Sequence, residues 1–194
     1  MSMYDDIEKV LISTEEIEEG IKSLAQEMND LYSDEDVPLL VCILKGAFMF
    51  LSDLVRHLDF RHEIDFMEIS SYGTSTKSSG IVRILLDLAS SIEGRHVVIV
   101  EDIVDTGHTL NYILRNLSTR NPASLRVCTL LNKPSRREIE VPVDFEGFEV
   151  PNEFVMGYGL DYAEQYRNIP FIGVLKPHVY AEVTGEQEEE EEEG

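Results

Sequence analysis

The sequence predicts an α/β fold in which a central, mostly parallel sheet is flanked by helices. Three apolar runs, residues 38–44, 97–100 and 125–131, have the length and composition of strands buried on both faces. Segments whose apolar residues recur at helical spacing follow or precede these runs. Alternation of buried strands with helices is typical of parallel sheets, because a helix carries the chain back across the sheet.

The composition is that of one folded domain with a strongly acidic surface. The chain has 194 residues, of which 43% are hydrophobic, and this is enough for a single core. It carries 38 acidic against 16 basic residues, a formal net charge of −22. Such a charge argues against a surface that binds nucleic acid or an anionic membrane. A salt-rich cytoplasm would account for it, and activity measured in low and in molar salt would test this hypothesis.

The ends of the chain and its two cysteines indicate a cytoplasmic protein. The acidic N-terminus lacks a signal-peptide pattern, and no apolar run is long enough to span a membrane. Cys42 and Cys128 each lie within an apolar run, where small core residues in a reducing compartment are expected. We predict one domain over residues 1–181 and a disordered acidic tail over residues 182–194.

The N-terminal third predicts a helix, a strand and a turn that ends the strand. Ser13 and Glu16 fit a capping box, and apolar residues at helical spacing predict a helix over residues 14–32. The strand at 38–44 ends in Lys45 and Gly46, before a second apolar helix. Taken alone, Lys45 and Gly46 are an ordinary strand-to-helix turn.

A hydroxyl-rich segment separates the next two predicted strands, residues 64–70 and 81–88. Its sequence, SSYGTSTKSSG at residues 70–80, has almost no apolar residue that could anchor it to a core. We therefore predict a mobile loop. It is either a plain disordered hairpin or a lid over a site.

The stretch from residue 97 to 110, VVIVEDIVDTGHTL, carries the most informative pattern. After the apolar run come Glu101 and Asp102, then Asp105, and then a threonine- and glycine-rich start of a helix. A helix N-terminus after a strand suits a phosphate, because its N–H groups are unpaired and its dipole is positive there. The carboxylates suit sugar hydroxyls, Mg²⁺ or a proton. They could also merely decorate a loop, although three clustered carboxylates would repel one another without a cation or ligand.

The segment EDIVDTGHTL resembles the phosphoribosyl-pyrophosphate signature of the type I phosphoribosyltransferases, and in particular that of their 6-oxopurine branch. The resemblance implies the type I phosphoribosyltransferase fold, with a small hood built from parts of the N-terminal region and about residues 143–178. It also implies a mobile lid at about residues 71–81. The implied reaction is Mg²⁺-dependent transfer of 5-phosphoribosyl from phosphoribosyl pyrophosphate to N9 of hypoxanthine, guanine or both.

The resemblance also implies roles for the residues of the signature. Glu101 and Asp102 would hold the ribose hydroxyls and, with Asp161, the Mg²⁺ ion. Asp105 would be the general base or acid towards the purine N7. The 5-phosphate would be clamped by five consecutive residues. One of them, His108, differs from the residue types found at this position in the family, and we assign it no charge. The five residues are Asp105, Thr106, Gly107, His108 and Thr109.

Motifs outside the signature match other parts of the family's site. Lys45 and Gly46 match its pyrophosphate loop, in which the peptide before the lysine is cis, and Ser71 and Tyr72 match the base of its lid. Lys133 matches the lysine that hydrogen-bonds the 6-oxo group of the purine. Without the resemblance, Lys133 would be taken for a solvated strand end.

The segment GFEVPNEFVMGYGLDYAEQYR, residues 147–167, is the third strong match. By resemblance, Phe154 would stack on the purine, Val155 would present backbone groups to its edge, and Arg167 would contact pyrophosphate. Taken alone, Phe154 and Val155 fit core packing. Asp161 and Arg167 alone fit an ion pair on a surface helix.

The sequence is also compatible with some alternative functions and excludes others. A related enzyme could use xanthine or a pyrimidine, and a regulatory protein could bind the nucleotide without turnover. A phosphatase with an aspartate nucleophile needs carboxylates two residues apart, whereas Asp102 and Asp105 are three apart. A Walker-type kinase is excluded because GxxxxGK(S/T) is absent from the sequence. The family resemblance suggests a homodimer or homotetramer.

Overall fold

A computed structural model describes residues 2–71 and 82–184. Within them the strands are β1 (Ile7–Ile12), β2 (Leu39–Leu44), β3 (Glu63–Ser71), β4 (Val82–Leu86), β5 (His96–Val104), β6 (Ser124–Asn132), β7 (Phe145–Glu149), β8 (Val155–Met156) and β9 (Ile172–Leu175). The helices are α1 (Thr14–Leu31), α2 (Phe48–Leu54), α3 (His108–Ser118) and α4 (Pro177–Thr184). Short 3₁₀ turns occupy Met3–Asp6, Val55–His57 and Pro134–Arg136.

The central sheet has the strand order β4-β3-β2-β5-β6-β7. Every neighbouring pair is parallel except β3 with β4, which is antiparallel. Val100 of β5 lies between Cys42 of β2 and Cys128 of β6. Because parallel strands end at the same edge, the segments that follow β2, β5 and β6 meet there.

Helices cover both faces of this sheet, as the buried strands predict. Val98 and Val100 of β5 face the core under α1 and α2, whereas Val97 and Ile99 face the core under α3. The predicted capping box forms at the start of α1: Ser13 Oγ accepts from the Glu16 N–H at 3.2 Å, and the Ser13 N–H donates to Glu16 Oε2 at 2.8 Å.

A second, smaller sheet has the order β1-β9-β8, and both of its strand pairs are antiparallel. It combines an N-terminal strand with two strands from the segment predicted to form the hood. The prediction was wrong for β7, which lies in the central sheet and pairs in parallel with β6. Its main chain pairs with β6 from Phe145 to Glu149, and its Phe148 packs against α1. Gly20 of α1 leaves room for Phe148, because a Cβ at Gly20 would lie 2.4 Å from the Phe148 ring.

Two further boundaries differ from the prediction. β5 continues through Val104, so Glu101 and Asp102 lie within the strand and not in an acidic turn after it. Pairing of Glu101 with Thr129 and of Val104 with Asn132 keeps this extension in the sheet. Helix α4 includes residues 182–184 of the predicted tail. The remaining tail, Tyr72 and the rest of the predicted lid lie outside the described residues. No helix in the described ranges is long and apolar enough to cross a membrane.

Candidate active site

The end of β5 sends its two adjacent acids to opposite faces of the central sheet, because consecutive side chains of a strand alternate. Glu101 lines a cavity of about 90 Å³ together with Asp105 and Thr106 at the start of α3. Asp102 lies beside Gly46, at the end of β2. The resemblance assigned both acids to the ribose and the metal, but the strand separates them.

The turn between β5 and α3 is held by its main chain. Gly107 caps α3 in the left-handed conformation, with φ of 89°, and a Cβ there would lie 2.3 Å from the Ile139 carbonyl oxygen. The Thr106 carbonyl accepts from the N–H groups of Glu138 and Ile139, at 3.0 and 3.1 Å. Glycine is therefore required twice, for its φ and for the close approach of residue 139.

The first N–H groups of α3 are available to an anion at this turn. Three of the residues predicted to clamp a phosphate line the small cavity: Thr106, Gly107 and Thr109. His108 is not among the lining residues, and its Nε2 lies 2.7 Å from Glu138 Oε2. The side chain of His108 is therefore directed to Glu138 and not into the cavity.

Both acids of β5 hold their protons more tightly than usual. Burial, reinforced by the charge of Asp102, raises the pKa of Glu101 well above its ordinary value. Loss of hydration raises the pKa of Asp102 to about 6, although the Ile103 N–H donates to its Oδ1 at 2.8 Å and Arg167 is close enough to oppose the shift. A site that stabilises two such carboxylates needs a cation or hydroxyl donors from a ligand.

Three chain segments meet at Gly46. The Leu44–Lys45 peptide bond is cis, as in the family's pyrophosphate loop. A Cβ at Gly46 would lie 1.5 Å from Asp102 Oδ2, and a Cβ at Gly159 would lie 2.1 Å from the Gly46 carbonyl oxygen. Two glycines therefore allow the ends of β2 and β5 and the loop after β8 to touch.

The loop after β8 carries a network of ion pairs. Arg167 Nη2 lies 2.9 Å from Asp161 Oδ1, and Arg167 Nη1 donates to the Gly159 carbonyl at 2.8 Å. Glu164 Oε2 accepts from Lys45 Nζ at 3.0 Å and lies 3.3 Å from Arg167 Nη2. Lys45 and Arg167, predicted separately to contact pyrophosphate, are thus brought together. Glu164 was not predicted, since its sequence neighbours give no sign that it reaches Lys45.

The predicted metal ligands Glu101, Asp102 and Asp161 do not form one cluster. In residues 2–71 and 82–184, no three His, Cys, Asp or Glu side chains lie close enough together to hold a metal ion. Glu101 faces the other side of the sheet from Asp102, and Asp161 is paired with Arg167. Asp102 and Asp161 are near enough for the charge of Asp161 to raise the pKa of Asp102. This pair fits Mg²⁺, which commonly takes one or two carboxylates and completes its shell with water and phosphate oxygens.

A second cavity, of about 300 Å³, lies on the other side of Asp105. The three residues that the resemblance assigned to the base line it: Lys133, Phe154 and Val155. Lys133 is only 4% exposed, and its Nζ donates to the Glu153 carbonyl at 2.9 Å. Burial lowers the pKa of Lys133. Further lining residues, which the sequence did not indicate, are Ile103, Arg136, Asn152, Glu153, Leu160 and Tyr180.

Two of these additional residues contact predicted ones. The Tyr180 ring stacks on Phe154, with centroids 5.2 Å apart and planes at 17°, while Tyr162 meets Phe154 edge-on at 5.5 Å. Arg136 Nε lies 3.5 Å from Asp105 Oδ1. Arg136 could have been suspected from its position three residues after Lys133. Tyr180 could not, because only the return of the chain through β9 brings it to Phe154.

The family model for the phosphoribosyl transferase domain matches residues 11–163. The chain belongs to the phosphoribosyltransferase family. Among curated relatives of this phosphoribosyltransferase, the hypoxanthine-guanine phosphoribosyltransferase of Bacillus subtilis (strain 168) is 54% identical over 178 residues, which cover 92% of this chain and 98% of the relative. The hypoxanthine-guanine-xanthine phosphoribosyltransferase of Tritrichomonas foetus is 48% identical over 92% of this chain and 97% of the relative.

Solved structures give the same assignment. A hypoxanthine phosphoribosyltransferase from Staphylococcus aureus superposes with a TM-score of 0.87 at 47% identity, covering 92% of this chain and 96% of that one. The Trypanosoma cruzi hypoxanthine phosphoribosyl transferase superposes with a TM-score of 0.86 at 44% identity, covering 94% and 98%. The predicted family and its fold, a mostly parallel sheet flanked by helices, are thereby confirmed.

Proposed function

We propose that this enzyme transfers the 5-phosphoribosyl group from phosphoribosyl pyrophosphate to N9 of hypoxanthine, guanine or both. The observation that carries this proposal is the position of Asp105, which lines the small cavity at the N-terminus of α3 and also the larger cavity with Lys133 and Phe154. One carboxylate thus borders both a phosphate-sized and a base-sized space. A transferase that joins a base to a sugar phosphate needs a proton acceptor at such a boundary.

The sugar phosphate occupies the small cavity. The 5-phosphate accepts hydrogen bonds from the N–H groups at the start of α3 and from the Thr106 and Thr109 hydroxyls. Glu101 lines the same cavity and holds a ribose hydroxyl. The close contact between Gly107 and residue 139 keeps this turn in one conformation, and this fixes the sugar for attack.

The base occupies the larger cavity. Lys133 donates to the 6-oxo group, since a buried ammonium has only donors and gains most from a ligand that offers an acceptor. Phe154 stacks on the ring, and backbone groups of Val155 meet its edge. Leu160 and Ile103 supply further apolar surface. An amino group at position 6 would place donor against donor at Lys133, so adenine is rejected.

The transfer step makes one bond and breaks one. N9 of the base bonds to the anomeric carbon, the bond from that carbon to pyrophosphate breaks, and its electron pair leaves on the pyrophosphate oxygen. The proton on N7 passes to Asp105. Arg136, 3.5 Å from Asp105 Oδ1, keeps that carboxylate oriented towards the base. The products are the nucleoside monophosphate and pyrophosphate.

The leaving pyrophosphate lies near Gly46. Lys45, Arg167 and the Gly46 backbone contact it, and they stabilise the charge that develops as it departs. Asp102 and Asp161 would hold Mg²⁺, and the bound ion would neutralise part of the diphosphate charge. The raised pKa of Asp102 supports this assignment, because a hard cation supplies the stabilisation that its half-buried surroundings lack.

We also propose a homodimer or homotetramer in the cytoplasm, with a lid at about residues 71–81. In support of assembly, the β3–β4 edge exposes large apolar side chains that a partner copy could cover. These are Ile64, Phe66, Leu85 and Leu86, which are 39–52% exposed. Sedimentation velocity would test this part, and a monomer at micromolar concentration would contradict it.

A transfer assay tests the proposed function. The enzyme, Mg²⁺ and phosphoribosyl pyrophosphate are incubated with hypoxanthine, guanine, xanthine, adenine or uracil, and the nucleoside monophosphate is quantified. We expect product from hypoxanthine or guanine, or both, and none from adenine or uracil. Product from xanthine alone would mean that xanthine, and not hypoxanthine or guanine, is the base that the enzyme uses. Binding of phosphoribosyl pyrophosphate without transfer to any base would indicate the non-catalytic regulator instead.

A further inference from the structure

Glu164 occupies the space between the two cations to which the proposed function assigns the pyrophosphate. Its Oε2 accepts from Lys45 Nζ at 3.0 Å and from Arg167 Nη2 at 3.3 Å. A single carboxylate oxygen therefore bridges a lysine from the end of β2 and an arginine from the loop after β8. A pyrophosphate oxygen that used the same donors would have to replace it.

The backbone around Glu164 is shaped to bring it there. Ala163, Glu164 and Tyr166 have φ values of 51°, 64° and 71°, in a backbone region that residues other than glycine rarely adopt. The Glu164 N–H donates to Asp161 Oδ2 at 2.8 Å. Tyr162 and Gln165 pair across the turn. Such uncommon conformations persist only where the surroundings hold them, and they are concentrated at functional segments.

The bridge is easily exchanged for another anion. The side chains of Glu164 and Lys45 are 65% and 56% exposed. Ion pairs between side chains as exposed as these contribute little to stability. Hydrogen bonds from Lys45 and Arg167 lower the pKa of Glu164, so it is ionised at neutral pH. Glu164 is thus a charged partner that a polyanion can displace at small cost.

We propose that Glu164 is a positioning residue that acts as an internal counter-ion: it holds Lys45 and Arg167 at the pyrophosphate position in the free enzyme and competes with pyrophosphate for them. This inference rests on the proposed function. Two consequences follow. Pyrophosphate binds less tightly than the two cations alone would allow, and the carboxylate assists product release by returning to them.

The test is calorimetric titration of pyrophosphate with Mg²⁺ into the wild-type enzyme and Glu164→Gln. The variant keeps the size of the side chain but removes its charge. We expect pyrophosphate to bind about 3- to 10-fold more tightly to Glu164→Gln, because the variant removes two competing ion pairs, an exposed one with Lys45 and one with the largely buried Arg167. Glu164→Asp, which keeps the charge, should restore an affinity close to that of the wild type.

Two comparisons separate this role from a general charge effect. Glu18→Gln removes a glutamate that is 62% exposed and is ion-paired with Lys22 on α1. It should leave pyrophosphate affinity unchanged. Inosine monophosphate, titrated as a second probe, should bind wild type and Glu164→Gln equally, because it does not use Lys45 and Arg167. A loss of affinity for both probes in Glu164→Gln would show a merely structural role and would overturn the inference.

The inference and the proposed function fail in different ways. If wild type and Glu164→Gln bind pyrophosphate equally, or if the variant binds it more weakly, Glu164 is not a competing counter-ion while the transferase assignment stands. If the wild-type enzyme binds neither pyrophosphate nor inosine monophosphate, the proposed function is wrong and the inference is overturned with it.

Discussion

The turn between β5 and α3 and the loop between β8 and β9 present charge to the site in opposite ways. The turn is fixed by main-chain hydrogen bonds from residues 138 and 139 to Thr106, and it leaves the N–H groups of α3 free for a ligand. The loop is also held by main-chain hydrogen bonds, such as that from the Gly159 N–H to the Arg167 carbonyl at 2.9 Å. Unlike the turn, however, it ties up its cation in ion pairs of Arg167 with Asp161 and Glu164, and a ligand needs that cation.

This difference separates a preformed subsite from an exchangeable one. A phosphate can bind to the turn without displacing any side chain, whereas pyrophosphate must replace Glu164 at the loop. The strongly acidic chain, with a net charge of −22, makes the distinction important. Its long-range field repels a polyanionic substrate, so local donors must supply the attraction. The turn offers its hydrogen-bond donors at all times, whereas the loop offers its donors only when the ligand replaces Glu164.

The largest effect is expected at Asp105, which belongs to the preformed turn and borders both cavities. Asp105→Asn removes the proposed proton acceptor but keeps the size of the side chain. We expect kcat to fall by about 10²- to 10⁴-fold, the usual contribution of a general base, with a small change in KM for phosphoribosyl pyrophosphate. Steady-state kinetics with hypoxanthine measures this. Unchanged turnover would remove Asp105 from the chemistry.

Gly46 lies between the two regions, since it contacts both Asp102 of β5 and Gly159 of the loop, and a substitution there should disturb both contacts. Gly46→Ala would place a methyl group 1.5 Å from Asp102 Oδ2, so the Asp102 carboxylate must rotate away from the loop. We expect affinity for phosphoribosyl pyrophosphate with Mg²⁺ to fall by about 10-fold or more, in line with the loss of two or more charge-assisted contacts. Gly94→Ala is the control, since its methyl group meets no atom within 4 Å, although its φ of 71° strains the backbone. Equal affinity losses in the two variants would contradict the account.

Asp102, near the carboxyl end of β5, should lower the stability of the fold in its ionised form while contributing to ligand binding. Its pKa is about 6 in the folded protein and 3.8 ordinarily, so the folded state keeps the proton to a higher pH than the unfolded state does. Ionising Asp102 therefore lowers the free energy of unfolding as pH rises from about 4 to about 6, and the cost is fully present above pH 6.

Removing this charge gives the corresponding test. At pH 7.5, Asp102→Asn should raise the free energy of unfolding by about 1–2 kcal/mol, allowing for partial solvent screening, and the gain should vanish near pH 4. The same variant should bind phosphoribosyl pyrophosphate with Mg²⁺ poorly. Denaturant titrations at both pH values measure the stability, and a destabilised variant at pH 7.5 would contradict the prediction.

The smallest effect is expected at Tyr180, which supports Phe154 from α4. Tyr180→Ala should raise KM for hypoxanthine by about 2- to 10-fold, the range for loss of one aromatic pair, and leave KM for phosphoribosyl pyrophosphate unchanged. Tyr180→Phe should behave as wild type. Tyr4→Ala is a matched control, because Tyr4 contacts Phe171 with centroids 6.3 Å apart and does not line the base cavity. A lower KM in Tyr180→Ala would mean that Tyr180 obstructs the base.

Local patterns were sufficient to predict most of the fold and part of the site. The β-branched run at residues 97–100, the Ser13 capping box and the glycine-bearing start of α3 each follow from a few neighbouring residues. Their structures are determined locally, so the sequence identified them correctly. Local patterns did not gather Asp105, Lys133 and Phe154 as candidates for one site; the resemblance to the family did.

Contacts between distant segments were not predictable in this way. β7 joins the central sheet by pairing with β6, and its Phe148 packs against Gly20, far away in the sequence. Glu164 meets Lys45 across 119 residues, and Tyr180 reaches Phe154 only through the turn into α4. The separation of Glu101 from Asp102 depended on how far β5 extends, which is set by its pairing with β6.

A crystal structure with inosine monophosphate, Mg²⁺ and pyrophosphate would test most directly whether one subsite is preformed and the other exchanged. We expect the 5-phosphate on the backbone of Thr106–Thr109 with the turn unchanged. We also expect pyrophosphate on Lys45 and Arg167, with the Glu164 carboxylate displaced from both. A structure in which Glu164 still bridges the two cations while pyrophosphate is bound elsewhere would contradict this expectation.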